Sequence, residues 1–322
     1  MTEVVKYSIR KAFGMQDVPE KVTTFGFAPS DDPYIPSKDE NYVFRKEFIR
    51  EVTAFLKNPF GDALYVTGPT GSGKTSGITE IAARLFWPVQ QITANGRMEL
   101  TDLIGHHALV SPKPGEPPVM QFMYGPLAVA MKKGHILLIN EVDLADPAEL
   151  SGLNDVLEGR PLVIAQNGGE IIKPHPMFRV VVTGNSTGSG DASGLYQGVM
   201  MQNIAAMDRY RFIEVGYPDE ATELGILGRV APTLNEGIRK GMVKTANEIR
   251  KLFVGENGDD GQIGVTMSTR NLVRWAKLTL QFRGAPNTLK YALDQSLLTR
   301  TSNEEGEAIL RIAKDVFGDL WR

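Results

Sequence analysis

Residues 68–75 read GPTGSGKT, and this stretch decides the expected fold because it fits the phosphate-binding pattern GxxxxGK(S/T) at every fixed position. It directly follows the apolar run 63–66 and directly precedes a helical pattern from Lys74 to about Phe86. In such a strand, loop and helix, backbone N–H groups and the positive end of the helix dipole converge on a phosphate. The stretch therefore predicts a bound nucleoside triphosphate. The competing interpretation is a glycine-rich turn that binds nothing.

Two side chains of this loop have specific expected roles. Lys74 is expected to reach the β- and γ-phosphates, and the Thr75 hydroxyl is expected to bind Mg²⁺. The predicted ligands are therefore ATP and Mg²⁺. The expected nucleotide-binding residues are Gly68, Pro69, Thr70, Gly71, Ser72, Gly73, Lys74, Thr75 and Ser76.

The composition is that of an ordinary globular protein. A chain of 322 residues with 42% apolar residues is long enough for two domains with their own cores. The formal net charge of −3 gives no global basic field, so nucleic acid is an unlikely partner. The chain has no cysteine, which excludes disulfides and thiolate metal sites.

No targeting or membrane-spanning pattern is visible. The first residues, MTE, do not begin a basic and then apolar signal pattern, and no apolar run approaches the ~18 residues that cross a bilayer. We therefore expect an intracellular, soluble, cytoplasmic protein with no membrane partner.

The chain is expected to form three regions. Residues 1–45 carry prolines at 19, 29, 33 and 36 and are expected to form an extended arm with one short helix, packed on the core. Residues 46–217 are expected to form an α/β core, because apolar runs typical of buried strands alternate with helical and hairpin patterns. Residues 218–322 have a helical pattern throughout, interrupted at 255–261. The expected core strands are 63–66, 89–93, 136–141, 179–183 and 212–215.

Polar residues follow the apolar run ILLI at 136–139. In phosphate-loop ATPases, an acid at this point holds Mg²⁺ through water, and in many of them a following Glu polarises the attacking water. Here the two positions are Asn140 and Glu141, so Glu141 is the candidate general base and Asn140 replaces the acid. The attraction between two unit charges ~4 Å apart is worth up to ~4 kcal/mol at an effective dielectric constant of ~20. Because Asn140 lacks the charge of the usual acid, weakened Mg²⁺ binding or slower turnover is expected. Asp143 is a candidate to supply the missing charge. The candidate metal-site residues are Thr75, Asn140 and Glu141.

Several motifs occur in one order along the chain: GPTGSGKT, ILLINE, a hairpin, VVTGN, DRYRF and STR. This series resembles the AAA+ ATPases of the MoxR and CobS group, and the resemblance covers nearly the whole chain. The most CobS-like pieces are SIRKAFG at 8–14, DPYIP at 32–36, YVF at 42–44 and GDASGLYQG at 190–198. The resemblance implies an AAA+ phosphate-loop core, with a parallel five-stranded sheet between helices and β-hairpin insertions, plus a C-terminal helical lid domain.

The resemblance also implies roles for single residues. Asn185 would be sensor 1, Arg270 would be sensor 2 from the lid, and Arg209 would be the arginine finger that enters the neighbouring subunit's site. An arginine supplied in trans contributes ~10³ to 10⁵ in rate to phosphoryl transfer. Arg211 is the competing finger candidate, and an ion pair with Asp208 or a lid acid is the alternative role for Arg209.

At the level of function, the resemblance implies a homo-oligomeric, hexameric ring that hydrolyses ATP to remodel or activate a protein partner. That partner is expected to carry a von Willebrand factor A (vWA) domain, as in CobT-like proteins, and the ATPase subunit of a cobaltochelatase is the specific version. The hairpins at 108–124 and 162–173 would be the helix 2 and pre-sensor 1 insertions, which face the pore or a partner. Two other functions stay open: a nucleic-acid motor or loader, which needs basic or aromatic pore loops, and a slow-hydrolysing ATP-gated assembly scaffold, which Asn140 favours.

Overall fold

A computed structural model describes residues 3–111, 117–188, 190, 198–254 and 263–321. The strands are β1 (Val4–Ser8), β2 (Thr23–Phe27), β3 (Ala63–Thr67), β4 (Val89–Thr93), β5 (Gly105–Val110), β6 (Val119–Tyr124), β7 (Ile136–Asn140), β8 (Leu162–Ile164), β9 (Glu170–Ile172), β10 (Arg179–Gly184) and β11 (Tyr210–Glu214). The helices are α1 (Ile9–Phe13), α2 (Lys46–Lys57), α3 (Lys74–Arg84), α4 (Leu100–Ile104), α5 (Pro126–Lys133), α6 (Pro147–Ser151), α7 (Asn154–Leu157), α8 (Ile204–Met207), α9 (Glu220–Val230), α10 (Glu236–Val254), α11 (Thr269–Gln281), α12 (Thr288–Ser296) and α13 (Asn303–Phe317).

The chain divides into two compact units. The first consists of Met1–Lys38, Lys46–Gly68 and Lys74–Val215. The second consists of Asp39–Arg45, Pro69–Gly73 and Gly216–Arg322. The second unit therefore includes two segments, 39–45 and 69–73, that lie far in sequence from its helices.

A parallel sheet with the strand order β11-β3-β10-β7-β4 forms the centre of the first unit. Every residue of β3, β7 and β10 is buried. Continuous apolar runs of this kind are typical of strands covered by helices on both faces. The predicted five-stranded parallel sheet is confirmed. The carboxyl ends of β3, β10 and β7 lie side by side, which is where open α/β sheets bind their ligands.

The N-terminal residues are more regular than the extended arm expected from their prolines. β1 and β2 pair antiparallel, from Val4 opposite Phe27 to Ser8 opposite Thr23. Pro19 lies between α1 and β2, so neither strand loses a backbone donor. Gly26 allows a close approach to the core, because a Cβ there would lie 2.3 Å from the Leu85 carbonyl oxygen.

The two predicted hairpin insertions are present. β5 pairs antiparallel with β6, and β8 pairs antiparallel with β9. The turn of the first hairpin, at 112–116, lies outside the described residues. Residues 191–197 of the CobS-like segment 190–198 also lie outside them. So does the interruption of the helical pattern at 255–261.

Glu170 connects the two hairpins to each other and to α5. Its carboxylate accepts from the Tyr124 hydroxyl at 2.7 Å, from Lys132 Nζ at 2.9 Å and from the Asn167 side-chain amide at 2.7 Å. Tyr124 ends β6, Lys132 belongs to α5, and Glu170 begins β9. One carboxylate therefore joins both insertions.

The apolar residues at 150–157 have helical spacing, yet the segment is divided into α6 and α7. Asp146 caps α6 and accepts from the Ala148 N–H at 2.8 Å. The break falls at Gly152, whose N–H bonds to the Glu149 carbonyl three residues earlier, at 3.2 Å. Glycine has low helix propensity, so a short turn replaces the helix there.

The helices α9 to α13 surround a separate core in the second unit, with Trp275, Leu272 and Met242 fully buried. A buried ion pair connects three of these helices. Glu223 on α9 is 0% exposed, and its two oxygens accept from Arg250 at 2.8 and 2.7 Å. One of them also accepts from the Thr269 hydroxyl at 2.8 Å. A buried carboxylate is tolerated only with such partners, so the pair fixes the start of α11 against α9 and α10.

Candidate nucleotide-binding site

The phosphate loop has a backbone that only glycine adopts easily. Gly68, Gly71 and Gly73 have φ values of 142°, 70° and 94°. Gly68 also has no room for a side chain, because a Cβ there would lie 2.2 Å from the Val215 carbonyl oxygen. Gly68 is therefore required by conformation and by packing, and Gly73, the other fixed glycine of the motif, by conformation.

The tip of the loop, 69–73, is held by other residues of the second unit. Arg45 donates to the Ser72 carbonyl at 3.0 Å and to the Gly216 carbonyl at 2.8 Å. The Tyr217 hydroxyl donates to the Thr70 carbonyl at 3.1 Å. Sequence reasoning missed both Arg45 and Tyr217, and the only signal was that Arg45 follows the CobS-like YVF segment.

The start of α11 also contacts the loop tip. A Cβ on Gly71 would lie 2.5 Å from Cβ of Ser268, the N-cap residue of α11, whose hydroxyl accepts from the Asn271 N–H at 3.2 Å. Arg270 is the second residue of this helix and is exposed. The STR motif at 268–270 thus begins α11, and the candidate sensor 2 residue lies two positions from a loop contact.

In the first unit, Lys74 and Asn185 meet although 111 residues separate them. Lys74 is 8% exposed, and its Nζ donates to Asn185 Oδ1 at 2.9 Å and to the Gly68 carbonyl at 2.5 Å. The ammonium group and the polar residue past β10 therefore lie together at the carboxyl end of the sheet.

Thr75 and Asn140 form the second contact of the site. The Thr75 hydroxyl donates to Asn140 Oδ1 at 2.7 Å, and the Thr183 hydroxyl donates to the same oxygen at 3.3 Å. The Thr183 hydroxyl also accepts from the Glu141 N–H at 3.3 Å. Sequence reasoning missed Thr183, whose only signal was a polar residue ending the apolar run of β10. Asn140 thus provides the acceptor that a hydroxyl at position 75 needs.

Glu141 begins a turn directly after β7. It adopts a left-handed conformation with φ 53°, and its side chain is exposed. A left-handed non-glycine residue costs roughly 1 kcal/mol, and such residues cluster at functional sites. The candidate base is thus accessible at the end of a buried strand.

Asp143 binds the segment after β10 through one carboxylate oxygen. Its side chain is 0% exposed, and its Oδ2 accepts from the backbone N–H groups of Asn185 at 2.7 Å and Ser186 at 3.1 Å. The other oxygen, Oδ1, is buried and has no hydrogen-bond partner among the described residues. That Asp143 supplies the missing charge at the metal position stays a prediction.

Arg209 is paired within its own chain, and among the described residues its acidic partner is Glu158, not Asp208 or an acid of the helical region. Two of its nitrogens donate to Glu158 Oε1, at 2.9 and 2.5 Å, and a third donates to the Ala205 carbonyl at 2.5 Å. The hydrogen bond from Arg209, followed by the charge of Arg160, lowers the pKa of Glu158. Sequence reasoning missed Glu158, because it lies 51 residues before Arg209.

Arg211, the competing finger candidate, packs in a different place. Its guanidinium lies over the rings of Phe55 and Phe60 and donates to the Pro59 carbonyl at 3.2 Å. It also lies 3.4 Å from Asp62 Oδ2. These contacts are at the start of β3, the end of the strand opposite to the phosphate loop.

The residues of the first unit fit ATP and Mg²⁺. Thr75 Oγ1, Asn140 Oδ1 and the Glu141 carboxylate are oxygen donors of the kind Mg²⁺ prefers, and Lys74 is the cation that a phosphate requires.

No helix in the described ranges is long and apolar enough to span a membrane.

Comparison with known proteins identifies the family. The model of the AAA domain of the dynein-related subfamily matches residues 63–197, and that of the CbbQ/NirQ/NorQ C-terminal domain matches residues 223–316. The aerobic cobaltochelatase subunit CobS of a Sinorhizobium species is 31% identical over 277 residues, which is 84% of this chain and 79% of CobS. The chain belongs to the AAA+ ATPases of the MoxR and CobS group.

More distant similarities agree with this assignment. An uncharacterized protein of Staphylococcus haemolyticus is 28% identical to this AAA+ ATPase over 189 residues, 59% of this chain and 68% of that protein. Among solved structures, a mutant of Thermotoga maritima RuvB covers 88% of this chain and 80% of RuvB, with a TM-score of 0.50 and 14% identity. The RuvB similarity shows a shared fold alone.

Proposed function

We propose that this AAA+ ATPase assembles into a homo-oligomeric, hexameric ring and uses ATP hydrolysis to remodel or activate a protein partner. The observation that carries the proposal is the convergence of Lys74 with Asn185 and of Thr75 with Asn140, directly before Glu141. This group lies at the carboxyl ends of adjacent parallel strands, where ligands of such sheets bind.

Each residue of the group has a proposed role in ATP cleavage. Water attacks the γ-phosphorus, the bond to the β,γ-bridging oxygen breaks, and ADP and phosphate leave. Glu141 takes the proton of the attacking water, Lys74 stabilises negative charge on the phosphates, and Asn185 contacts the γ-phosphate side. Thr75, and Asn140 through water, would hold Mg²⁺, which neutralises phosphate charge.

Two arginines are proposed to complete the site. Arg270 would act as sensor 2, and Arg209 would enter the site of the neighbouring subunit as the arginine finger. In the single chain Arg209 instead binds Glu158, with the two side chains 27% and 33% exposed. A partly exposed ion pair of this kind is weak, so a triphosphate in the neighbouring site can displace it.

The finger role is tested by comparing Arg209→Ala with Arg211→Ala as the control. Arg209→Ala is expected to keep ATP binding and assembly but to lose about 10³-fold or more in hydrolysis rate, because the cation stabilises the transition state. Arg211→Ala should hydrolyse ATP at nearly the wild-type rate, since its contacts are structural.

Mixing two inactive variants shows whether the arginine acts in trans. Glu141→Gln retains Arg209, and Arg209→Ala retains Glu141, so mixed rings contain some complete sites and should regain activity. A fully active Arg209→Ala variant, or mixtures that stay inactive while forming mixed rings, would refute the proposal.

The proposed partner is a protein with a vWA domain, and cobalt insertion into a corrin is the specific version. The similarity to CobS is what supports it. The test is co-purification from the native source with ATP and with ADP, followed by identification of the bound proteins. Recovery of a CobT-like protein and a large chelatase subunit only with ATP would support the cobaltochelatase version, and a vWA protein alone would support a general remodeller. If no vWA protein is recovered, the partner assignment is wrong.

A second candidate, a slow-hydrolysing ATP-gated scaffold, is favoured by Asn140. In that case ATP binding alone would drive assembly, and Glu141→Gln would still recruit the partner. A nucleic-acid motor would instead show ATPase activity that DNA stimulates in a salt-sensitive way.

A further inference from the structure

Asp143 is a buried carboxylate whose hydrogen bonds converge on the segment that carries Asn185. It lies in a 3₁₀ turn, Val142–Leu144, directly after Glu141, and its side chain is 0% exposed. Oδ2 accepts from the N–H groups of Asn185 at 2.7 Å and Ser186 at 3.1 Å, and lies 3.4 Å from the Ser186 hydroxyl. Two successive backbone N–H groups form a small anion-binding nest, and such charge-assisted bonds are roughly twice as strong as neutral ones.

These hydrogen bonds begin where the sheet ends. The ladder between β7 and β10 runs from Ile136 opposite Arg179 to Ile139 opposite Val182. Beyond it, the chain after β7 carries Glu141 and the chain after β10 carries Asn185. The Asp143 carboxylate connects the two segments past the last ladder pair.

The contact continues to the phosphate-binding lysine. With its N–H bound to Asp143, Asn185 presents Oδ1 to Lys74 Nζ at 2.9 Å. The Asp143 carbonyl oxygen also accepts from the Met200 N–H at 2.8 Å, in the segment that precedes α8 and Arg209. A residue two positions after the candidate base therefore contacts the segments of two further candidate site residues.

We propose that Asp143 is the positioning residue that fixes Asn185, and through it Lys74, relative to Glu141. It acts through Asn185 and does not itself touch ATP. This inference rests on the proposed hydrolysis of ATP at this site. Without the acceptor, the Asn185 N–H is no longer held, and a misplacement of about 1 Å at a reacting group can cost about 10²-fold in rate.

The test compares wild type with Asp143→Ala, Asp143→Asn and Ser186→Ala. Asp143→Ala is expected to lower kcat by about 10- to 100-fold while the Kd of a fluorescent ADP analogue changes by less than about twofold. Asp143→Asn keeps an acceptor oxygen and should restore most of the rate. Ser186→Ala removes the 3.4 Å contact with Asp143 and a 3.4 Å bond from the Gly188 N–H, but it keeps the Ser186 N–H and should behave as wild type.

A double-mutant cycle separates positioning from a general loss of structure. If Asp143 acts through Asn185, adding Asp143→Ala to Asn185→Ala should change kcat by less than about twofold. Should the alanine variant not fold, Asp143→Leu, which fills the same space without an acceptor, replaces it in the same cycle. Additive losses, an Asp143→Ala variant with wild-type kcat, or an equal weakening of ATP and ADP binding would overturn the inference. If the wild-type protein itself does not hydrolyse ATP, the proposed function is refuted. Failure of the proposed function is therefore distinguishable from failure of the Asp143 inference.

Discussion

Asn140 offers one oxygen to two hydroxyls, those of Thr75 and Thr183. An aspartate would offer the same oxygen together with a negative charge, so the hydrogen bonds of this position do not require the usual acid. The difference between the two residues is electrostatic, and it concerns the affinity for a divalent cation.

Asn140→Asp is therefore expected to lower the Mg²⁺ concentration needed for half-maximal ATP hydrolysis, by about 3- to 10-fold. The added Coulomb attraction has an upper limit of ~4 kcal/mol at ~4 Å, and hydration offsets most of it. The measurement is the ATPase rate of both proteins over a Mg²⁺ titration. Asn58→Asp is the matched control, because it adds the same charge before β3, at the opposite end of that strand. An unchanged Mg²⁺ dependence in Asn140→Asp would mean that the amide at position 140 does not weaken Mg²⁺ binding.

For single residues of the candidate site, the sequence predicted a position only where a motif fixes the spacing. Gly68 to Thr75 follow a local pattern, and Asn140 and Glu141 follow a recognisable apolar strand. The pair of Arg209 with Glu158 and the pair of Asn185 with Asp143 were both missed. Their members lie 51 and 42 residues apart, and no local pattern encodes such pairs.

The element that shows most clearly how separate segments act together is the pair of hairpins joined at Glu170. The hydrogen bond from Tyr124, followed by that from Lys132, lowers the pKa of the Glu170 carboxyl. Exposed apolar side chains, Val163 and Ile171, extend from the second hairpin with 59% and 63% exposure. The sequence predicted each hairpin from its strands and turn, but not the carboxylate that connects them, because the hydrogen bond to Tyr124 spans 46 residues.

Glu170→Ala should loosen the second hairpin without unfolding the first unit. Two of its three hydrogen bonds are solvent-exposed, so the loss of unfolding free energy should be small. Amide hydrogen exchange in β8 and β9 is nevertheless expected to accelerate by about fivefold, because local opening costs less once these bonds are removed. Glu51→Ala is the control, since in the part of the chain that the structure describes Glu51 pairs with its neighbour Arg50 on the surface of α2. Equal exchange in both variants would show that Glu170 does not tie the hairpins.

For the whole molecule, the stability of the first unit should depend on pH through a buried histidine. His135 is 3% exposed, and the Gln90 amide donates to its Nδ1 at 3.0 Å. Burial lowers the pKa of His135 to about 4 and also lowers the pKa of His175. The unfolded chain takes up a proton near pH 6.5, whereas the folded chain does so only near pH 4.

Because the unfolded state binds more protons in this window, stability falls as pH drops from about 6.5 to about 4. His135 alone should reduce the free energy of unfolding by about 2 kcal/mol between pH 7 and pH 5. Urea unfolding at both pH values measures this difference, and His135→Gln should remove most of it. A His135→Gln protein with an unchanged pH dependence would contradict the assignment.

Sequence patterns predicted the parallel sheet because each of its strands is a continuous apolar run. They gave no indication that residues 39–45 and 69–73 would cluster with the C-terminal helices. That clustering depends on contacts such as Arg45 with Gly216, which are 171 residues apart.

The missing side chain of Gly68 has a mechanical consequence. A Cβ there would lie 2.2 Å from the Val215 carbonyl oxygen, and Val215 directly follows β11, the strand that starts directly after Arg209. β11 is five residues long, about 17 Å, and pairs along its whole length with β3. In the proposed ring, a shift of Arg209 at the neighbouring site would therefore reach the glycine loop of the same protomer through this strand.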